Sequence, residues 1–135
     1  MLNNMELTDI KSMQELCEKH EDIKLKLNWD MLEQRSTRND DYFYYKEKKL
    51  IGYLALYGFG DKYEICGMVH PRYRGQGIFS GLLTDALKSL KARHARSLLI
   101  NVPGTSLTGK TFAASIRAQY DFTEYEMKWN PDSLL

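Results

Sequence analysis

The chain has 135 residues, enough for one domain with a single sizeable core, so residues 1–135 are read as one unit. Apolar residues make up 43% and the formal charge is +1, which excludes a disordered chain and any global field favouring nucleic acid or a membrane surface. No apolar run approaches the length of a membrane span, and no basic segment followed by an apolar one opens the chain, so a cytoplasmic protein is expected. Cys17 and Cys66 lie in unrelated contexts and form no CxxC, and each reads as a buried, reduced thiol.

In chain order, Thr8 or Asp9 is expected to cap a first helix that runs to about His20, with Ile10, Met13, Leu16 and Cys17 on its apolar face. Asn28 is placed to cap a short second helix ending near Arg35. The Ile23–Leu27 stretch fits helix and strand equally, and Ser36 to Asp41 reads as a loop. Tyr42–Tyr45 and Leu50–Phe59 read as strands joined by the charged turn Lys46-Glu47-Lys48-Lys49. The aromatic run from Tyr42 to Tyr45 is best explained by a strand with one face in the core. After a turn at Gly58-Phe59-Gly60-Asp61, Tyr63–Val69 is a third strand.

Next comes His70-Pro71-Arg72-Tyr73-Arg74-Gly75-Gln76-Gly77 and a helix. That helix carries Phe79, Leu82, Leu83, Ala86, Leu87 and Leu90 in one amphipathic stripe. Its end bears Lys88, Lys91, Arg93, His94 and Arg96, which read as a solvated face that also complements the helix dipole in preference to a basic patch. Leu98–Val102 reads as a buried strand, a helix is expected over about Leu107 to Arg117, and Tyr120–Phe122 and Glu124–Trp129 read as short strands. This order gives an α/β (mixed α+β) fold, a mixed sheet with helices on its faces.

Two glycine loops invite chemistry. In the first, a strand leads through Gly75 and Gly77 into a helix. Absent side chains let backbone N–H groups approach an anion, the helix start adds its unsatisfied N–H groups and positive dipole end, and Arg72 and Arg74 add charge. Phosphate or pyrophosphate binding follows, in preference to a bare strand-to-helix turn with two solvent-facing arginines. The second, Gly104-Thr105-Ser106-Leu107-Thr108-Gly109-Lys110-Thr111, satisfies GxxxxGK[ST]. Only 24 residues follow Thr111, too few for the sheet and the acidic strand end that a P-loop nucleotide site needs downstream. Lys110 and Thr111 are therefore not expected to bind nucleotide.

The segment Met68-Val69-His70-Pro71-Arg72-Tyr73-Arg74-Gly75-Gln76-Gly77-Ile78-Phe79 resembles the acetyl-CoA signature of the GNAT N-acetyltransferases. In that family a strand ends in V-x-P, followed by Arg or Gln, two residues, Gly, one residue, and Gly or Ala. Arg72, Gly75 and Gln76-Gly77 fill the pattern, and the order of elements from Tyr42 to Trp129 fits the family's sheet. The resemblance implies a central, mostly antiparallel twisted sheet with helices on both faces. It also implies acetyl-CoA as cosubstrate, held by Gly67, Met68, Val69, Arg72, Arg74, Gly75, Gln76, Gly77, Ile78, Phe79, Ser80 and Ser106. Leu98–Val102 would splay from Tyr63–Val69 to admit pantetheine. Val102, Ser106 and Gly109 stand where the family often has V-x-x-x-N-x-x-A, and Ser106 keeps a polar group there.

Acetyl transfer to an amine needs a base, an oxyanion donor and an acid for the leaving thiolate. Glu64, on the strand leading into the motif, is the candidate base, with a surface carboxylate as the plainer alternative. The resemblance implies the Val69 backbone N–H as oxyanion donor. The family's usual tyrosine acid falls at Ala113, and Arg117-Ala118 replaces a common Gly-Phe. Tyr120 and Tyr125 are available but read as core aromatics. His20, His70 and His94 are scattered, so no metal site is expected. The expected partner is an amine acceptor, small molecule or peptide, with neither nucleic acid nor membrane involved; a homodimer is compatible with the sequence. Two alternatives to an N-acetyltransferase remain: a GNAT-like module that binds CoA without turnover, and a P-loop protein.

Overall fold

The computed structural model describes residues 2–21, 25, 27–36, 39–102 and 124–129. In chain order these form α1 (Asn4–Glu21), α2 (Trp29–Glu33), β1 (Asp41–Lys46), β2 (Lys49–Phe59), β3 (Lys62–Val69), a 3-10 turn at Pro71–Tyr73, α3 (Ile78–Ala92), β4 (Ser97–Val102) and β5 (Glu124–Trp129). The strands make one sheet in the order β1-β2-β3-β4-β5. The sheet expected to be mostly antiparallel is antiparallel from β1 to β3 and parallel from β3 to β5 among the described residues.

Alternation along β2 sorts its side chains to two faces. Leu54 and Leu56, with Ile65 and Leu98, meet the α3 stripe of Leu82, Leu83, Ala86, Leu87 and Leu90. Tyr53, Ala55 and Tyr57, with Cys66 and Met68, meet Ile10, Met13 and Cys17 of α1 and Leu32 of α2. Helices thus cover both faces, which is why the β2 core residues read as one continuous apolar run.

A buried polar network ties α2 to the sheet. Arg35 donates to both Asp41 carboxylate oxygens, from Nε at 3.0 Å and from Nη2 at 3.2 Å, and to the Leu56 carbonyl at 2.8 Å. The Tyr53 hydroxyl donates to the same carboxylate at 2.6 Å. Burial, then the Asp41 charge, pushes the Tyr53 pKa up, so the phenol stays a donor.

Two expectations for α1 are corrected. The helix begins at Asn4, ahead of Thr8 and Asp9, because Asn3 and Glu6 form a reciprocal cap. The Glu6 N–H donates to Asn3 Oδ1 at 2.8 Å, and the Asn3 N–H donates to Glu6 Oε1 at 3.0 Å. Thr8 instead donates to the Asn4 carbonyl, and Asp9 accepts from the Tyr45 hydroxyl at 3.0 Å. Leu16 is exposed, because the buried stripe runs through Ile10, Met13 and Cys17 and leaves Leu16 beyond its edge. Asn28 caps α2 as expected, accepting from the Met31 N–H at 3.1 Å. The ambiguous Ile23–Leu27 stretch lies mostly outside the described residues. So do the second glycine loop with Ser106, Gly109, Lys110 and Thr111, the expected helix with Ala113 and Arg117, and Ala118, Tyr120 and the strand ending at Phe122.

Candidate acetyl-donor site

The site grows from the end of β3. The His70 N–H makes the last rung to β2, donating to the Ile51 carbonyl at 2.7 Å. Successive residues of a strand turn their N–H groups to opposite edges, so the Val69 N–H points to the β4 edge. Pairing with β4 runs only from Lys62↔Ser97 to Cys66↔Asn101. The Val69 N–H therefore lies past the last β3–β4 pair among the described residues. Such an end to the ladder, beside a strand end, is what a linear arm needs to reach the sheet.

The chain then turns. His70 is buried, and its Nδ1 accepts the Arg72 N–H at 3.2 Å, which fixes the 3-10 turn. An acceptor Nδ1 requires a neutral ring. Burial, followed by the charges of Lys49 and Arg72, lowers the His70 pKa from its ordinary value and keeps the ring neutral. Tyr73 packs edge-on to this ring, with centroids 5.3 Å apart.

Gly75 and Gly77 have φ of +80° and +79°, and a Cβ at either would meet none of the described residues within 4 Å. Backbone conformation, not crowding by the described residues, calls for glycine there. Gly77 is the N-cap of α3. It brings no side-chain acceptor, and no acidic residue stands in the first turn. The leading N–H groups of α3 are thus presented without competition from a side chain of the cap or first turn.

Two other glycines work by close approach. A Cβ on Gly67 would stand 2.6 Å from the Phe79 ring, and one on Gly52 would stand 2.8 Å from Ile78. Both let the start of α3 lie directly on β2 and β3. Gly67, Ile78 and Phe79, expected as cofactor contacts, here set the height of the helix start above the sheet. The Met68 side chain is buried in the α1-facing core, so only its backbone faces the site. Ser80 accepts the Thr84 hydroxyl at its carbonyl, and its place in the first turn keeps its N–H at the open end.

Of the expected site residues, the fold gathers Gly67, Val69, Arg72, Gly75, Gln76, Gly77, Ile78, Phe79 and Ser80 at one end of the sheet. Arg74 is there too, but its Nε turns back to donate to the Val69 carbonyl at 3.1 Å. Glu64 stands apart, five residues before Val69, about 17 Å along an extended strand. It shares a face with Cys66 and Met68 and lines a cleft of about 430 Å³ with Asn28, Trp29, Asp30, Tyr57 and Phe59. Sequence reading missed Cys17 here: its Sγ donates to the Val69 carbonyl at 3.5 Å. It also missed Trp29, which α2 delivers to the Glu64 cleft. Among the described residues no group of three or more His, Cys, Asp or Glu could hold a metal, and no helix is long and apolar enough to cross a membrane.

Comparison with known proteins agrees with this geometry. A match to the acetyltransferase (GNAT) family spans residues 6–107. The chain belongs to the GNAT acetyltransferase family. The ribosomal-protein-S18-alanine N-acetyltransferase of Escherichia coli is similar in structure, with TM-score 0.62 and 13% identity over 85% of this chain and 72% of that one. The PaiA N-acetyltransferase of Thermoplasma acidophilum, solved in complex with coenzyme A, gives TM-score 0.61 and 18% identity over 84% of each chain. A GNAT-family acetyltransferase of Streptococcus pneumoniae gives TM-score 0.63 and 14% identity over 79% of this chain and 75% of that one. No curated protein sequence matches the chain. The family supports acetyl transfer as the general chemistry, and the low identities carry the fold alone.

Proposed function

We propose that the protein transfers the acetyl group of acetyl-CoA to an amine by direct attack. The observation that carries this reading is the α3 start at left-handed Gly77, whose cap offers no side-chain acceptor, set beside a β3 edge that has no β4 pair at Val69 among the described residues. The backbone N–H groups of Gly75, Gln76, Gly77, Ile78, Phe79 and Ser80 suit the pyrophosphate, with Arg72 adding charge at the rim. The pantetheine arm would run along β3 past Gly67 and Met68.

When the amine nitrogen attacks the thioester carbon, a C–N bond forms and the carbonyl electron pair moves to oxygen. The Val69 N–H is aimed at the β4 edge, where it would donate to that oxygen. Collapse breaks the C–S bond and releases CoA thiolate, which takes a proton from water, while the nitrogen of the new amide gives its second proton to the hydroxide so formed. An alkyl amine has a pKa near about 10, so a proton must leave before attack. Glu64 is too far along β3 for direct transfer and would act as base through water. Its cleft, with Trp29, Tyr57 and Phe59 beside Asp30 and Glu64, suits a cationic amine that carries apolar surface.

Thiol release from acetyl-CoA with a panel of amines tests the reading. Turnover with a good acceptor should fall about a hundredfold in Glu64→Gln and recover in part at high pH, where free amine is abundant. Full kcat in that variant at neutral pH would remove Glu64 from the mechanism. Acetyl-CoA that raises the Tm without thiol release with any amine would favour a binding module instead, the reading suggested by Ala113.

A further inference from the structure

We propose that Arg74 is a positioning residue for acyl transfer: with Cys17, it holds the Val69 carbonyl and so fixes the backbone that presents the Val69 N–H. The inference rests on the transferase reading above and deepens it. Arg74 Nε donates to the Val69 carbonyl at 3.1 Å. Cys17 Sγ, reaching across from α1, donates to the same oxygen at 3.5 Å. Nothing in the sequence spacing joins these three residues; the fold brings them to one oxygen.

The reason for holding that oxygen is electrostatic. In an extended strand the N–H and C=O of one residue point to the same edge. The Val69 carbonyl, negative at its oxygen, therefore lies on the edge where the reaction would develop an oxyanion beside the Val69 N–H. An unmasked carbonyl there opposes the very charge that the N–H stabilises. A guanidinium donor masks it and brings positive charge to the same edge, and charge-assisted bonds are the stronger kind. The thiol adds a second donor. Burial raises the Cys17 pKa more than neighbouring Arg74 lowers it, so the sulfur keeps its proton. Two donors on one carbonyl also restrict rotation at Val69, which keeps its N–H in one direction.

A phosphate ligand and a positioning residue differ in how they respond to the acyl donor. S-acetylpantetheine carries the thioester but lacks the nucleotide and pyrophosphate. Arg74→Ala should lower kcat about tenfold to a hundredfold with both acetyl-CoA and S-acetylpantetheine, and should leave the KM for acetyl-CoA within about twofold. Arg74→Lys, which restores a cationic donor, should recover part of the loss. Cys17→Ser, which keeps a donor, should retain more activity than Cys17→Ala. An Arg74→Ala variant with raised KM for acetyl-CoA and unchanged kinetics on S-acetylpantetheine would make Arg74 a phosphate ligand and overturn the inference. Wild type inert toward both donors would sink the transferase reading itself. The contact is still read in that case by the Val69 carbonyl ¹³C shift, which should move in Arg74→Ala; an unmoved shift overturns the inference whatever the activity.

Discussion

The starts of α1 and α3 solve the same problem in opposite ways. Every helix begins with N–H groups that lack a helical partner. At α1, Asn3 and Glu6 bind each other's N–H groups and place a carboxylate in the first turn. At α3, Gly77 has no side chain to offer and the first turn carries no acid. The first helix is closed by its own residues and serves packing. The second offers no side-chain acceptor at its start, and a Cβ on Gly75 or Gly77 would meet none of the described residues within 4 Å. Both begin near the same sheet, so the difference lies in the capping residues, and it separates a structural helix start from one suited to an anion.

Closing α3 as α1 is closed should break the contrast most sharply. Gly77→Asp would put a carboxylate on the open N–H groups. Acetyl-CoA should bind about 30-fold more weakly, equivalent to about 2 kcal/mol, by calorimetric titration. The left-handed strain of about 1–2 kcal/mol is partly offset by the new cap, so the Tm should fall only a few degrees. Unchanged affinity with the fold intact would refute an anion site at α3.

Lifting α3 is the next largest change. Gly67→Ala forces the Phe79 ring away from β3 and should cost about 1–3 kcal/mol in urea unfolding. Affinity should fall with it, because the helix start no longer sits at its height over the sheet. The matching change at α1 should be smaller and purely structural. Asn3→Ala should cost about 1 kcal/mol and leave acetyl-CoA affinity where it was. A loss of affinity in Asn3→Ala would mean that the two helix starts are not independent.

Acidification should give the smallest effect, and only at the α3 side. The His70 pKa is lowered in the fold, so its neutral form contributes stability that is complete above the unfolded value of about 6.5. As pH falls below that value toward the folded pKa, the unfolded state takes up the proton first and the contribution is lost. A protonated ring also cannot accept the Arg72 N–H, so affinity should drop severalfold between about pH 7 and pH 5. His70→Ala should be weaker throughout and flatter with pH in the same titration.

Periodic features were legible in the sequence. The α3 stripe, the bounds of β2 and β3, the Asn28 cap and the glycine turn each announce themselves within about a dozen residues, because local geometry alone dictates them. The α1 start was misplaced because Thr8 and Asp9 stand nearer the apolar stripe than Asn3 does, while the reciprocal cap depends on Glu6 three residues on. What stayed hidden involves partners distant in sequence. The Cys17–Val69 contact, the Trp29–Glu64 cleft and the Arg93–Asp40 ion pair at 2.6 Å all depend on how α1, α2 and α3 dock on the sheet. The basic end of α3 accordingly resolves in part into a paired arginine over Tyr63. The direction of Arg74 is equally illegible, since an arginine beside two glycines reads as a phosphate ligand whichever way it turns.

The short β3–β4 ladder has a consequence for solvent exchange. A central strand ordinarily protects its amides until the whole sheet opens. Val69 sits in such a strand, yet its N–H lies past the last β3–β4 pair among the described residues, one residue before the His70 rung to β2. In deuterated water the Val69 amide should exchange well ahead of those of Leu54 and Ile65. Acetyl-CoA should slow it, turning one backbone proton into a reporter of whether the arm has reached the strand.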